Sequence, residues 1–120
     1  MKEDFLHYVW LYKLIASTEI KTVKNEEVVI VAPGTYNTNS GPDFLNARLK
    51  IDNQLWVGNV EIHVNSSDWY VHKHEEDINY DAVILHVVWQ HDVEVFMKDN
   101  LPLPTLVLKD LIDERLLKGY

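Results

Sequence analysis

With 120 residues, 47% of them apolar and 25% charged, the chain has the proportions of one soluble globular domain built on a single core. Nineteen acidic against eleven basic residues leave a net charge of −8, which excludes a broad basic face for gripping phosphate backbones. It does not exclude an enzyme that places a cation between itself and a phosphate. There is no cysteine, so disulfides, thiolate metal sites and cysteine nucleophiles are ruled out. The acidic start MKEDF and the lack of any apolar run near ~18 residues point to a cytoplasmic protein with no membrane partner.

In chain order, Asp4 to Ser17 carries apolar residues at i, i+3, i+4 spacing and is predicted to be a helix lying on a sheet, with His7 in a structural or solvent-facing role. Thr18 to Glu27 reads as an edge strand or loop. Val28 to Ala32 is β-branched and reads as a strand, stopped by Pro33-Gly34. A polar, turn-rich stretch from Thr35 to Gly41 leads into Pro42-Asp43. Phe44 to Ile51 alternates, with Leu45, Ala47, Leu49 and Ile51 on one face. Asp52-Asn53 is a two-residue hairpin turn, and Leu55 to Val64 is the returning strand. Period two puts Glu61 and His63 on the same side of that strand.

After Asn65 the β pattern breaks. Ser66 or Ser67 is placed to cap a short helix over Asp68 to Asp77. Ala82 to Trp89 is nearly all apolar and predicts a central strand buried on both faces, with His86 in its middle. Val93 to Met97 reads as a further strand, Asp99-Asn100 as a turn, Thr105 to Leu108 as an edge segment after two prolines, and Asp110 to Lys118 as a helix. The order predicts an α+β fold: N-terminal helix, mixed central sheet with a hairpin, short helix or loop, C-terminal helix. Residues 1–120 read as one domain.

Four of the six histidines fall between Gly41 and His86, among carboxylates and strand formers. Asp43 opens one strand of the hairpin and Glu61 lies eighteen residues later, on the other, the separation that brings strand ends together. Two carboxylates at a strand mouth, with the carbonyl of Ile62, are oxygen ligands for Mg²⁺ or Mn²⁺. His63 beside them can orient or deprotonate a water, being largely neutral at cellular pH. His72 and His74, at i, i+2, share a face only if extended. Of that second cluster, His74 and Asp81 are the better candidates to support the ligands. His86, on a core strand, needs a partner or must stay neutral. Asp68-Trp69-Tyr70 is read as packing in preference to a base- or sugar-stacking surface.

Pro42-Asp43 on one strand and Glu61-Ile62-His63 on the next resemble the signature of the PD-(D/E)xK nuclease superfamily. That resemblance implies a restriction-endonuclease-like core and metal-dependent phosphodiester hydrolysis on nucleic acid. His63 stands where that signature has lysine, which removes a fixed positive charge and favours Mn²⁺ over Mg²⁺. A second resemblance spans almost the whole chain. Gly41 to Phe44 (GPDF), Gly58 to His63 (GNVEIH), Ser67 to Trp69 (SDW), His72, His74 and Val83 to Val88 (VILHVV) are similar to an uncharacterised bacterial family whose members are usually longer. It implies that this polypeptide is the N-terminal part of something larger.

Three functions stay open on these residues. One is a metal-dependent nuclease-like domain, active or degenerate, with Asp43 and Glu61 as ligands, His63 as base or third ligand, and His74, Asp81 and His86 in support. The second is a non-catalytic module for a carbohydrate or protein partner. The third is a structural domain whose polar cluster is an internal hydrogen-bond network.

Overall fold

In the computed structural model, which describes residues 1–16 and 19–119, the two alternating stretches become Phe44–Ile51 (β3) and Gln54–Asn65 (β4). Asp52 and Asn53 close the hairpin with φ of 48° and 68°, the doubly positive pattern of a type I′ turn. Val83–Gln90 (β5) runs parallel to β4, and Thr105–Val107 (β6) runs parallel to β5 on its far side. Val28–Ala32 (β1) and Thr35–Tyr36 (β2) both pair antiparallel with β3, giving the order β1-β3-β4-β5-β6 with β2 also on β3. The most apolar strand is therefore central and buried on both faces, as its composition predicts. The whole is α+β, with a mixed sheet between helical segments.

Glu3–Leu11 (α1) packs Phe5, Leu6, Val9 and Trp10 on one face of the sheet, against Phe44, Leu49, Val60, Ile62, Leu85, Val87 and Leu106. Trp10 Nε1 donates to the Pro33 carbonyl at 2.9 Å, fixing the helix against the β1–β2 corner. The helix stops well short of the predicted Ser17, a residue that, like Thr18, lies outside the described set. Lys13 adopts a left-handed φ of 53°, and the N–H groups of Lys13 and Leu14 reach back to the carbonyls of Trp10 and Val9. This is a Schellman end. Lysine there carries none of the glycine signal that would have announced it.

β3 departs from strict alternation. Phe44 pairs with Val60 but Ala47 with Gly58, so one extra residue sits in β3. Asn46 takes φ 57°, and the Asn59 side chain accepts its N–H at 3.1 Å. The bulge puts Phe44, not Leu45, in the core beside Ala47, Leu49 and Ile51. It also turns Asp43 away from the core face that unbroken alternation assigns to it. Gly58 permits the close approach of β4 and β5: a Cβ there would lie 2.5 Å from Ile84 Cγ2 and 2.7 Å from the Ala82 carbonyl.

The β4–β5 crossover is Asp68–Val71 (α2) followed by two 3₁₀ turns, His74–Glu76 and Ile78–Tyr80, where one short helix was predicted. Ser66 and Ser67 do not cap it; both hydroxyls donate to Asp92, tying the crossover to the end of β5. Val93 to Met97 forms no regular strand. Its bridge to the returning chain pairs Phe96 with Pro102, which has no N–H to extend a ladder. The C-terminal helix is Glu114–Gly119 (α3), starting four residues after the predicted Asp110 because the Asp113 carboxylate accepts the Arg115 N–H at 2.8 Å in the manner of an N-cap. No described helix is long and apolar enough to cross a membrane.

Candidate metal centre

On β4 the core-facing residues are Val60 and Ile62, so Glu61 and His63 point to the opposite face, beneath the crossover. The parallel register sets His86 of β5 beside Glu61. All three are nearly inaccessible, at 4%, 1% and 0% exposure. A carboxylate and two imidazoles are thus held on a sheet face that is dry yet not apolar.

Asp43 and Glu61 come together, as their spacing predicts, and they clasp each other's strands. The Asp43 N–H donates to Glu61 Oε1 at 3.1 Å, and the Ile62 N–H donates to Asp43 Oδ2 at 2.8 Å. Ile62 therefore enters the site through its N–H, while its side chain is core. The second Glu61 oxygen, Oε2, faces a ring of imidazoles: His63 Nε2 at 3.3 Å and His74 Nε2 at 2.8 Å. The His74 contact is short, but it does not lie along an N–H direction, and Nε2 has no hydrogen-bond partner among the described residues. His63 Nδ1 is 2.8 Å from His86 Nε2, so one ring donates to the other. His63 donating from Nδ1 frees its Nε2 lone pair toward Glu61.

His72 joins the group despite the i, i+2 spacing that would separate it on a helix. Lys73 between the two histidines is left-handed, with φ 57°, which ends α2 and turns both rings inward. Ring centroids of His63 lie 5.1 Å from His72 and 5.2 Å from His74. Donor atoms of His63, His72 and His74 all lie within 4.8 Å of one another. Tyr80 stacks on His74 at 3.7 Å, and Trp69 sits edge-on to His74 and His86. Trp69 is buried, so it serves as the apolar wall of the site, consistent with its reading as packing.

Electrostatics follow from burial. Desolvation first, then the Asp43 charge, pushes the Glu61 carboxyl up to about 10. Burial would raise Asp43 as well, but the neighbouring His7, the Glu61 carboxyl and the Ile62 N–H outweigh it and hold Asp43 below the ordinary carboxylate range. The pair therefore keeps one proton, on Glu61. Burial, then His74 and His72, pulls His63 down to about 4. Burial and the neighbouring rings also depress His74, and His86 more strongly. The neutral imidazoles offer nitrogen lone pairs to a cation, and the Glu61 carboxyl would join them only on releasing its proton to solvent.

Asp81 does not join the cluster. It pairs with Lys98 at 3.0 Å on the surface, lining a groove of about 760 Å³ at the Met97–Pro104 segment. Two residues outside the predicted site do adjoin it: His7 Nε2 of α1 lies 3.5 Å from Asp43 Oδ2, and Glu3 is one turn before it. Their spacing of four on a helix, with one carboxylate and one imidazole, was the signal available in the sequence.

The family model that matches the chain spans residues 3–120 and is described as a protein of unknown function, DUF2851. No curated protein and no solved structure matches it.

Proposed function

The chain belongs to the DUF2851 family of unknown function, and from its own site we propose that it is a cytoplasmic, metal-dependent phosphodiesterase acting on nucleic acid. The observation that carries the proposal is the Glu61 carboxylate, locked by Asp43 N–H through one oxygen and presenting the other to His63 and His74. Glu61, His63 and His74 are the ligands, with His72 completing the set from the rim. A mixed N/O set favours Mn²⁺ over Mg²⁺. Asp43, just before β3, and Glu61 on the adjacent β4 keep the two-acid spacing of the PD-(D/E)xK signature, although four strands, not three, separate α1 from the crossover.

A bound divalent ion would lower the pKa of a coordinated water and stabilise charge on a phosphate. The protein's own groups divide the remaining work. Asp43, the ionised acid, holds the β4 backbone and accepts a proton from an adjacent water. His86 fixes the His63 ring through Nδ1. Trp69 and Tyr80 keep bulk water from the buried side.

Calorimetry with Mn²⁺ on the wild type and Glu61→Ala, followed by cleavage assays on single- and double-stranded DNA and RNA, tests this. Binding and Mn²⁺-dependent cleavage should both be lost in Glu61→Ala and on chelation. Because Glu61 must release its proton, affinity for Mn²⁺ should rise with pH between about 6 and 8. No binding, or equal binding by the variant, overturns the metal centre; binding without cleavage of any of these substrates overturns the phosphodiesterase.

A further inference from the structure

Glu3 and His7 lie one turn apart on α1, and burial of Phe5, Leu6, Val9 and Trp10 fixes that helix on the sheet. Their donor atoms and those of Asp43 all lie within 4.8 Å of one another. The His7 ring is held in place by Tyr36 at 5.5 Å and Phe44 at 6.1 Å, centroid to centroid. Yet neither of its nitrogens, both buried, has a hydrogen-bond partner among the described residues. Nε2 has only the long 3.5 Å contact with Asp43 Oδ2, so a purely structural histidine at this position would leave Nδ1 dehydrated and unpaired, which is costly.

Charge points the same way. Glu3, Asp43 and Glu61 form a run of carboxylates, and among the described residues no lysine or arginine forms an ion pair with any of them; the Lys and Arg pairs involve Glu94, Asp81 and Asp113. Among the described residues the basic side chains that contact Asp43 and Glu61 are imidazoles. Beside His7 a cleft of about 250 Å³, lined by Tyr8, Tyr12, Tyr36 and Phe44, opens to solvent. The cleft reaches the His7 ring from the α1 side of the sheet, although Glu3 and Asp43 do not line it.

We propose that Glu3, His7 and Asp43 form a second divalent-cation position, so that α1 supplies half of a two-ion centre. The inference rests on the centre proposed above. Asp43 is the shared element: it touches Glu61, whose other oxygen faces His63 and His74, and it faces His7 with Oδ2. Two donor sets on either side of a carboxylate pair are the arrangement by which paired ions flank the attacking and leaving oxygens of a phosphodiester.

Native mass spectrometry and calorimetry of the full chain with MnCl₂, with electron paramagnetic resonance of the loaded protein, decide it. The wild type should take up two ions with a spin-coupled signal. His7→Ala and the milder Glu3→Gln should each take up one, with the coupling lost and the far-ultraviolet circular dichroism unchanged. His74→Ala should also drop to one. A wild type that saturates at one ion, sensitive to His74→Ala but not to His7→Ala or Glu3→Gln, refutes the second position and leaves the first centre standing. Two ions retained in both α1 variants also refutes it, and no ion in the wild type refutes both.

Discussion

The two faces of the sheet use the same strands for opposite purposes. On the α1 side Ile62, Val87 and Leu106 stand in register on β4, β5 and β6, and everything around them is apolar. One residue earlier on each strand, Glu61, His86 and Thr105 stand in register on the other side, just as buried and wholly polar. Burial is therefore not what distinguishes the two. The dry apolar face gains stability from every methylene it removes from water. On the polar face that gain comes from the covering cluster of Trp69, Tyr80, Val95 and Leu103, while desolvation acts against the titratable groups beneath it, which is how a binding site is built inside a stable frame.

The sharpest way to break the contrast is a cavity on the apolar face. Leu85→Ala should cost about 2–5 kcal/mol in urea unfolding. Glu61→Gln, on the polar face, should change stability by less than about 1 kcal/mol, because the amide keeps an oxygen for the Asp43 N–H and replaces a carboxyl already neutral. If Glu61→Gln costs as much as Leu85→Ala, the polar face is a structural network and not a site.

Acidity separates the faces next. The folded His63 value of about 4 lies below the ordinary 6.5, so the unfolded chain binds the extra proton between them. The stability from neutral His63 is complete above pH 6.5 and lost as pH falls toward 4, on the order of 3 kcal/mol. His74 and His86 act in the same direction. Glu61 is raised, so its contribution is present below 4.5 and lost as pH rises above that value. Three imidazoles outweigh one carboxyl on the acid side, while above 6.5 Glu61 and His7, whose value is raised by Asp43 despite burial, both lose their contribution as pH rises. The metal-free protein should thus be most stable at pH 6–7, measured by thermal melts across pH, and Glu61→Gln should flatten the alkaline limb and steepen the acid one. A wild-type curve flat from pH 4 to 6.5 would contradict the neutral-histidine cluster.

A smaller effect probes the join between β4 and β5 that sets the register of both faces. Gly58→Ala should destabilise by about 1–3 kcal/mol, because its Cβ would meet the Ala82 backbone and Ile84. The same shift should weaken Mn²⁺ binding through the displaced Glu61–His86 register, read by calorimetry. Unchanged affinity would show that the site tolerates movement between these strands.

The elements themselves were legible: the Phe44–Ile51 hairpin strand, its Asp52-Asn53 turn, the Val28–Ala32 strand and the buried β5 follow from period, turn chemistry and apolar density, which are local properties. So was the meeting of Asp43 with Glu61, from their distance along a hairpin. What sequence could not supply hangs on three left-handed residues with no glycine to mark them. Lys13 ends α1 early, Asn46 turns Asp43 out of the core, and Lys73 brings His72 and His74 to one point. A positive φ costs lysine about 1–2 kcal/mol and is held there only by surrounding packing, while asparagine tolerates it at many positions without marking which one will use it. Asp81 was lost to Lys98, and His7 was gained by Asp43, for the same reason: partners separated by seventeen and thirty-six residues are chosen by how elements dock, which only the tertiary structure decides.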